Sequence, residues 1–462
     1  MLVRSRWKMG TGLICFYKLV TEGGHFMGSS TVNVRELILG VLLEVTRDGE
    51  YSHIAIRNTL DKYQYLEKQE RSFIKRVCEG TLEHMIWIDY VIDQFSKVKV
   101  NKMKPVIRCI LRSSVYELKY MDAVPASATC NEAVRLAQKK GFHNLKGFVN
   151  GVLRNISRNL DHIVLPDQEK DPVTYLSVTY SMPIWILELW KKSYSMEQIE
   201  AFLEAFLSET PTSIRVNTLR TTKEALKQEL EAEQIHVLED ADLPNALFIE
   251  HYDSLGRISA FEEGKFYVQD ISSMQVSLWA DPKPGDYVLD VCAAPGGKSI
   301  HMAELMQQTG MVEARDLTEY KVSLIQENIQ RCQLTNIRAV QADARILEEE
   351  KTEQADIVIA DLPCSGLGVL GKKSDIKYKM TAENCRELSA LQKEILHTVQ
   401  QYVKPGGILM YSTCTINPGE NEENVAWFLK EHPDFRLERQ QQILPQKRRN
   451  DGFFLAKLVK LQ

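Results

Sequence analysis

The chain has 462 residues, which is too long for a single core of typical size and predicts about two to four domains. With 44% hydrophobic and 26% charged residues, its composition is that of an ordinary soluble protein. A net charge of -5 argues against general binding of polyanions, although an average can conceal a basic patch.

The cysteines constrain the cellular compartment and the kind of site. There are nine of them, an odd number, and no two stand at C-x-x-C spacing. A zinc site or a disulfide framework is therefore not expected, and reduced thiols favour a cytoplasmic protein. No apolar stretch approaches the length of a membrane span. We accordingly expect no membrane association, no bound metal and a monomer.

Residues 1–31 are predicted to be an N-terminal extension. Arg4, Arg6 and Lys8 precede the apolar run GTGLICFY, an order that resembles a signal peptide. The apolar run is short, however, and Lys18 interrupts it. Met27 is an alternative start of the protein, and the sequence does not decide between the two.

Residues 32–158 are predicted to form an all-α domain. Apolar residues recur at three-to-four spacing in ELILGVLLEV, ERSFIKRVCEGTLEHMIWIDYVIDQF, KPVIRCILRSSVYELKYM, CNEAVRLAQKK and GFVNGVLRNISR. Between Lys97 and Arg158 this domain carries thirteen basic and three acidic residues. Such a segment is a candidate surface for RNA or DNA, and a solvated helical face is an equal alternative.

The middle of the chain is predicted to hold a linker and a small α/β subdomain. Residues 159–174 are polar and contain prolines, as linkers do. In residues 175–264, the helical runs MPIWILELWKKSY and MEQIEAFLEAFLSE precede the strand-like SIRVNTL, the helical KEALKQELEAEQI and the strand-like ALFIE. The pattern alone assigns this subdomain no function.

Residues 265–462 alternate between strands and helices, which predicts a parallel, doubly wound sheet. The candidate strands are YVLDVCAA, GMVEARD, NIRAVQADA, ADIVIAD and GGILMYS, with FFLAKLV as a late addition. Cys364 in DLPCSG and Cys414 in YSTCTINPGENEE each follow one of these strands. Open sheets bind ligands at that end, where a thiolate can attack an electron-poor ring carbon. Small buried hydrophobic cysteines are the alternative.

A cofactor site is predicted at the end of the first of these strands. The strand runs into DVCAAPGGKS, whose glycines let backbone N–H groups approach a ligand at the start of a helix. Asp316 and Asp343 follow the next two strands, and an acid after the second strand can bind a ribose diol. These features predict a nucleoside cofactor and leave nicotinamide dinucleotides and S-adenosylmethionine open, although the G-x-G-x-x-G spacing of the former is absent.

Two sets of motifs resemble known families. SSVYELKYMDAVPASATCNEAVRLAQKKGF followed by KGFVNGVLRNISR is similar to the RNA-binding helical domain of the antitermination factor NusB, over most of residues 34–158. VQDISS (Val268 to Ser273), DVCAAPGGKS, DLPCSG and YSTCTINPGENEE, in this order, resemble the motifs of the RNA (cytosine-5)-methyltransferases. From about residue 32, the chain is thus similar to the bacterial 16S ribosomal RNA (cytosine-5)-methyltransferases that carry a NusB-like domain.

The resemblance implies a fold and a cofactor. The fold would comprise a NusB-like all-α domain, the small α/β subdomain and a Rossmann-like class I methyltransferase domain that uses S-adenosylmethionine. Asp316 would contact the ribose, Asp343 the adenine and Asp361 the methionine end, although Asp316 and Asp343 could instead be helix caps. The rest of the cofactor would be bound by Cys292, Ala293, Ala294, Pro295, Gly296, Gly297 and Lys298.

The resemblance also implies an activity, the methylation of carbon 5 of a specific cytosine in 16S ribosomal RNA. Cys414 would be the nucleophile, and Cys364 would assist release of the product. Asp361 would hold the edge of the cytosine, with Lys298 steadying the cluster. The residues alone do not rank Cys414 above Cys364.

The family comparison further suggests contacts to RNA. SIRVNTLR (Ser213 to Arg220) matches a family segment, which makes Arg215, Asn217 and Arg220 candidate RNA contacts, with a structural role as the equal alternative for Asn217. After the first thiol, Gly371 and Ser374 replace the arginine and proline usual in relatives, while Asp375 is retained. The loop around Gly371 is therefore expected to position RNA differently.

Two alternatives remain for the function. One is methylation of transfer RNA, or of DNA, by the same mechanism, because only the NusB-like domain points to a ribosomal substrate. The other is a catalytically idle RNA-binding or antitermination factor, which the intact acids, glycine loop and thiols disfavour. A fold analogy does not identify the nucleotide.

Overall fold

The computed structural model describes residues 32–462. The predicted extension of residues 1–31, including Met27, lies outside the described residues. Seven helices form the first part of the described chain and share one apolar core. They are α1 (Val34–Thr46), α2 (Ser52–Lys62), α3 (Lys68–Glu83), α4 (Met85–Phe95), α5 (Pro105–Tyr120), α6 (Ala126–Lys139) and α7 (Lys146–Arg158).

The apolar spacing explains why this segment is helical. In α7 the buried residues are Val149, Val152, Leu153 and Ile156, which form one stripe along a helix with 3.6 residues per turn. The long apolar run that we expected to continue to Phe95 is divided in the structure. His84, with φ -97° and ψ 17°, ends α3 and precedes α4.

A helical connection and a small sheet follow. The helices are α8 (Pro172–Thr179), α9 (Ile184–Trp190) and α10 (Met196–Leu207). The sheet is antiparallel and four-stranded, in the order β2-β3-β1-β4. Its strands are β1 (Thr212–Val216), β2 (His236–Glu239), β3 (Ala246–Glu250) and β4 (Phe266–Val268), accompanied by α11 (Lys223–Ala232) and α12 (Ser259–Glu262).

The last part of the chain is built on a seven-stranded sheet in the order β10-β11-β9-β8-β5-β6-β7. The strands are β5 (Tyr287–Asp290), β6 (Met311–Asp316), β7 (Ile337–Gln341), β8 (Ala355–Asp361), β9 (Val403–Thr413), β10 (Phe435–Ile443) and β11 (Phe453–Lys460). The helices are α13 (Ile271–Ala280), α14 (Gly297–Leu305), α15 (Glu319–Cys332), α16 (Ile376–Lys379), α17 (Ala382–Val399) and α18 (Glu422–Glu431).

The topology of this sheet creates a crevice for a ligand. Strands β9, β8, β5, β6 and β7 run parallel, and apolar cores cover both faces of the sheet. The first strand, β5, lies between β6 and β8, so the chain reverses its direction of winding beside β5. In open α/β sheets, ligands bind at the carboxyl ends of the strands at such a point. The predicted fold class is confirmed.

Three strands were not predicted, and each lacks the usual sequence signal. β10 (FRLERQQQI) is a mostly exposed edge strand that pairs antiparallel with β11. β2 has a single buried side chain, that of Val237. β4 has only three residues and pairs with β1, so the small sheet extends beyond residue 264, where we had placed the next domain.

Across residues 32–462, none of the helices combines the length and apolar character needed to cross a membrane. In the same part of the chain, no group of three or more His, Cys, Asp or Glu side chains is arranged to hold a metal ion.

Candidate active site

The two thiols predicted at strand ends lie side by side. β8 and β9 are parallel neighbours, with Asp361 opposite Ser412. Cys364 follows the first of these strands and Cys414 directly follows the second, and their Sγ atoms are 3.1 Å apart. The strand order therefore brings together two cysteines that are fifty positions apart in the sequence.

The two thiols differ in how readily they ionise. The hydrogen bond from Cys364 lowers the pKa of Cys414, and the charges of Lys373 and Lys298 act in the same direction against burial and Asp361. The same hydrogen bond, together with burial, raises the pKa of Cys364 well above its usual value. Of the two thiols, Cys414 is therefore the one that ionises more readily, and the thiolate is the nucleophilic form of cysteine.

A partly buried ion pair lies beside the thiols. Lys298 Nζ lies 2.6 Å from Asp361 Oδ2, and Ser412 Oγ donates to Asp361 Oδ1 at 2.7 Å. Burial alone would lower the pKa of Lys298, but the charge of Asp361 and its hydrogen bond outweigh burial and raise it. The lysine therefore stays charged, and the carboxylate is fixed in one orientation beside the thiols.

A cavity of about 250 Å³ connects these groups with the glycine loop. All of the predicted site residues lie in the described part of the chain. Four of them are outside the lining of the cavity, namely Gly296, Cys364, Asp316 and Asp343. Gly296 has φ 108°, a conformation that glycine adopts without strain. The predicted residues that do line the cavity are Cys292, Ala293, Ala294, Pro295, Gly297, Lys298, Asp361 and Cys414.

The first strand of the large sheet ends on a buried acid at this cavity. Asp290 is 1% exposed, and Ser299 Oγ donates to its Oδ2 at 2.5 Å. Its Oδ1 has no hydrogen-bond partner among the described residues, and burial raises the pKa of Asp290 to about 7. A buried acceptor without a partner costs about 1–3 kcal/mol, so this oxygen suits a ligand that donates a hydrogen bond.

Asp316 stabilises the glycine loop through a hydrogen bond to its backbone. Its Oδ2 accepts a hydrogen bond from Ala294 N at 3.1 Å, and its Oδ1 accepts one from Leu317 N at 2.8 Å. Lys321 Nζ lies 3.1 Å from the same Oδ1. The side chain thus links the end of β6 to the cofactor loop and is partly neutralised by the lysine.

Asp343 stands at the end of the next strand and is paired with Arg345. Arg345 donates to its two oxygens at 2.9 and 2.6 Å, and this contact lowers the pKa of Asp343. Two apolar side chains close to these acids in the sequence are exposed, Leu317 to 53% and Ile346 to 64%. Exposed apolar side chains beside strand-end acids are suited to cover a planar ring.

Two further acids line the cavity, Asp270 and Asp451, and a lysine outside the lining pairs with both. Lys372 Nζ lies 2.8 Å from Asp270 Oδ2 and 2.8 Å from Asp451 Oδ2, and both acids line the cavity. Asp270 belongs to VQDISS, whose residues alone predict no role for it. Asp451 reaches the cavity because of the path of the chain between β10 and β11, and no local sequence pattern predicts that path.

The polar run after Cys414 has a structural role. Glu420 is fully buried and accepts hydrogen bonds from Ser365 N at 2.8 Å and Asn417 Nδ2 at 2.9 Å. Asn421 Nδ2 donates to Thr415 O at 3.0 Å. These contacts fix the loops that follow Cys364 and Cys414 relative to each other. A fully satisfied buried network of this kind holds reacting groups in one arrangement.

The expectation that Arg215 contacts RNA is wrong. Its side chain is 2% exposed and pairs with Glu304 of α14, with Nη2 3.1 Å from Oε2. It also donates to Gly297 O at 3.2 Å, so it holds the cofactor loop. Asn217 is fully buried and donates to Gly264 O at 3.0 Å, which agrees with the structural alternative. Arg220 remains exposed.

Replacing Arg215 tests this correction. We expect Arg215→Met to lower the free energy of unfolding by about 3–5 kcal/mol, because Glu304 is then buried without its partner. Urea denaturation measures the loss, and exposed Arg220→Met, the control, should stay within about 0.5 kcal/mol of the unaltered protein. Wild-type stability together with weaker RNA binding would instead restore the RNA-contact role of Arg215.

The fold and this cavity define a nucleoside-cofactor enzyme with a Rossmann-like domain, and comparison with known proteins identifies its class as S-adenosylmethionine-dependent methyltransferase. The family model described as 16S rRNA methyltransferase RsmB/F matches residues 277–459. The NusB family model matches residues 32–158, and a model described as a Methyltr_RsmF/B-like, ferredoxin-like domain matches residues 182–254.

Individual proteins agree with these matches. The chain is 36% identical over 446 residues to the probable ribosomal RNA small subunit methyltransferase B of Bacillus subtilis, covering 93% of this chain and 99% of the relative. The corresponding protein of Synechocystis is 32% identical, with coverages of 93% and 100%. The crystal structure of PH0851 superimposes with a TM-score of 0.79 at 29% identity, covering 92% of this chain and 98% of that one.

The chain therefore belongs to the 16S rRNA methyltransferase RsmB/F family of S-adenosylmethionine-dependent ribosomal RNA methyltransferases.

Proposed function

We propose that the protein methylates carbon 5 of a specific cytosine in 16S ribosomal RNA and that Cys414 forms a transient covalent bond to the target base. The observation that carries this proposal is the contact of 3.1 Å between Cys414 and Cys364, with opposite shifts of their pKa values. A thiol with a lowered pKa beside one with a raised pKa suits addition to a ring followed by release. The family membership supports ribosomal RNA as the substrate.

The residues present fit S-adenosylmethionine. The proposed binding loop runs from Cys292 to Lys298, with Asp316 at the ribose, Asp343 at the adenine and Asp361 near the methionine end. The unpartnered oxygen of Asp290 supports this assignment, because an ammonium or hydroxyl group could donate to it. When bound, the cofactor supplies an electrophilic methyl group, and the protein contributes the loop, the acids and the buried environment.

The proposed chemistry begins at the cytosine ring. The Sγ of Cys414 forms a bond to carbon 6, and the ring electrons move toward carbon 5, which becomes nucleophilic and accepts the methyl group. Asp361 holds the edge of the cytosine by accepting a hydrogen bond from the exocyclic amine, and Lys298 fixes Asp361. A base then removes the proton from carbon 5, those electrons restore the ring, and the sulfur leaves carbon 6. In our proposal Cys364 assists this release.

The helical domain offers a surface for the RNA backbone. Arg112 is not part of it, because its buried side chain pairs with Asp89 at 2.6 Å. The exposed basic side chains of the segment include Lys97, Lys102, Lys104, Lys146, Arg154 and Arg158. We propose that these residues bind phosphates, while the target base leaves its stack to enter the cavity.

Bisulfite sequencing of RNA from cells with and without the protein tests the function. We expect one cytosine of 16S ribosomal RNA to resist deamination only when the protein is present, because 5-methylcytosine reacts slowly with bisulfite. Loss of protection in a transfer RNA instead would reassign the substrate. If no RNA changed and the purified protein failed to bind labelled S-adenosylmethionine, the chain would be a non-catalytic RNA-binding factor.

A further inference from the structure

The loop between β8 and α16 shapes the cavity. Gly368 N donates to Cys414 O at 3.1 Å, which holds the loop against the nucleophile. Farther along, Lys372 forms its two ion pairs with Asp270 and Asp451 across the cavity wall. Because Cys364 lies on the same loop, a displacement of the loop would alter both the contact between the thiols and the width of the cavity.

The end of this loop is bound to the helical domain. Asp375 is 2% exposed, and its carboxylate accepts hydrogen bonds from Ser52 Oγ at 2.7 Å and Ser52 N at 3.0 Å. Ser52 is the first residue of α2, whose preceding residue, Tyr51, provides no side-chain cap. The first N–H groups of a helix need acceptors and favour negative charge. Asp375 thus caps a helix of another domain.

A lysine of α16 contacts the carboxyl end of a helix in the helical domain. Lys377 is 3% exposed, and its Nζ donates to Glu83 O at 2.8 Å, at the last residue of α3. The carbonyl groups at the end of a helix favour a positive charge. Lys379 Nζ adds a third contact by donating to Glu50 O at 2.6 Å. The segment from Asp375 to Lys379 therefore places an acid at the start of α2 and a lysine at the end of α3.

We propose that Asp375 and Lys377 are positioning residues, through which the helical domain fixes the loop of Cys364 and Lys372 in the geometry needed for methylation. This inference rests on the proposed function. An apolar contact would let the loop slide along the helical domain. Buried charged groups have few positions in which their hydrogen bonds are satisfied, so they fix the loop more narrowly. The helical domain would thus contribute to the chemical step as well as to RNA binding.

The test is single-turnover methylation of a 16S ribosomal RNA transcript by the full-length protein, at saturating transcript and S-adenosylmethionine. We expect Asp375→Asn to slow the reaction by at least about tenfold, because small misplacements of reacting groups cost large factors in rate. Ser52→Ala, which alters only the partner in the helical domain, should also slow it. The double variant should be no slower than Asp375→Asn, since both changes break one contact.

Binding of the transcript distinguishes positioning from a general structural defect. We expect the RNA Kd of the variants to stay within about twofold of the unaltered protein. Ser127→Ala, a matched change at an exposed serine of α6, should leave the rate unchanged. If Asp375→Asn does not fold, Ser52→Ala and Lys377→Met carry the same test.

Two outcomes would overturn the inference. Wild-type rates in Ser52→Ala and Asp375→Asn, with the unaltered protein active, would reject the positioning role and leave the proposed function intact. Effects that multiply in the double variant would likewise show that the two residues act separately. Failure of the unaltered protein to methylate cytosine would overturn the proposed function, and this inference with it.

Discussion

A Cys414→Ala variant is expected to lose methyl transfer by on the order of 10⁴-fold or more, because no other group would then add to carbon 6 of the cytosine. It should also form no covalent complex with RNA that contains 5-fluorocytosine. The fluorine prevents the final loss of a proton from carbon 5, so an enzyme with its nucleophile stays bound to such RNA. Denaturing gel electrophoresis detects the complex.

The companion variant separates the roles of the two thiols. Cys364→Ala should accumulate the covalent complex with ordinary RNA, because addition at Cys414 remains possible while release is impaired. Cys332→Ala, a buried cysteine at the end of α15, serves as the control and should leave both readouts intact. The reverse pattern, with trapping lost in Cys364→Ala and retained in Cys414→Ala, would exchange the two assignments.

Replacement of Lys298 is expected to have the second largest effect. Lys298→Met removes a cation that lowers the pKa of Cys414 and leaves Asp361 without its partner, so the pKa of Cys414 should rise. Activity requires the thiolate and falls as the pH drops through that pKa. The acidic limb of the kcat/KM profile should therefore move to higher pH, and activity at neutral pH should fall by about 10²-fold.

A lysine elsewhere on the sheet provides the control for this experiment. Lys404 pairs with Asp356 at 2.8 Å near the amino ends of β8 and β9, away from the cavity. Lys404→Met should leave the pH profile in place. If Lys298→Met lowered the rate without moving the acidic limb, Lys298 would act on Asp361 or on the cofactor and not on the charge of Cys414.

The parts of the fold that could be predicted are those with local signals. Between its two aspartates ADIVIAD is apolar, because this part of β8 is buried on both faces, and this property is readable from the sequence. The position of Cys364 and of Cys414 at the carboxyl end of a strand was predicted, whereas their contact depends on the order of the strands, which was not. The particular cofactor came from the resemblance of motifs, because the residues alone left two cofactors open.

The remaining parts depend on tertiary contacts. Arg215 resembles a surface residue in the sequence, and only the position of Glu304 on α14 makes its burial understandable. The strand β10 carries polar residues because it lies at an exposed edge. Asp451 reaches the cavity through the connection between β10 and β11, so its role could not be derived from the residues around it.

The buried side chain of Arg215 connects the small subdomain to the methyltransferase domain. Its guanidinium joins the small sheet, the helix α14 and the carbonyl of Gly297, so the small subdomain and the glycine loop are held together by buried polar contacts. In the proposed reaction the target base must leave its stack to reach Cys414, so the RNA has to be deformed at that position. Transcripts with weak stacking at the target position should accordingly be modified fastest.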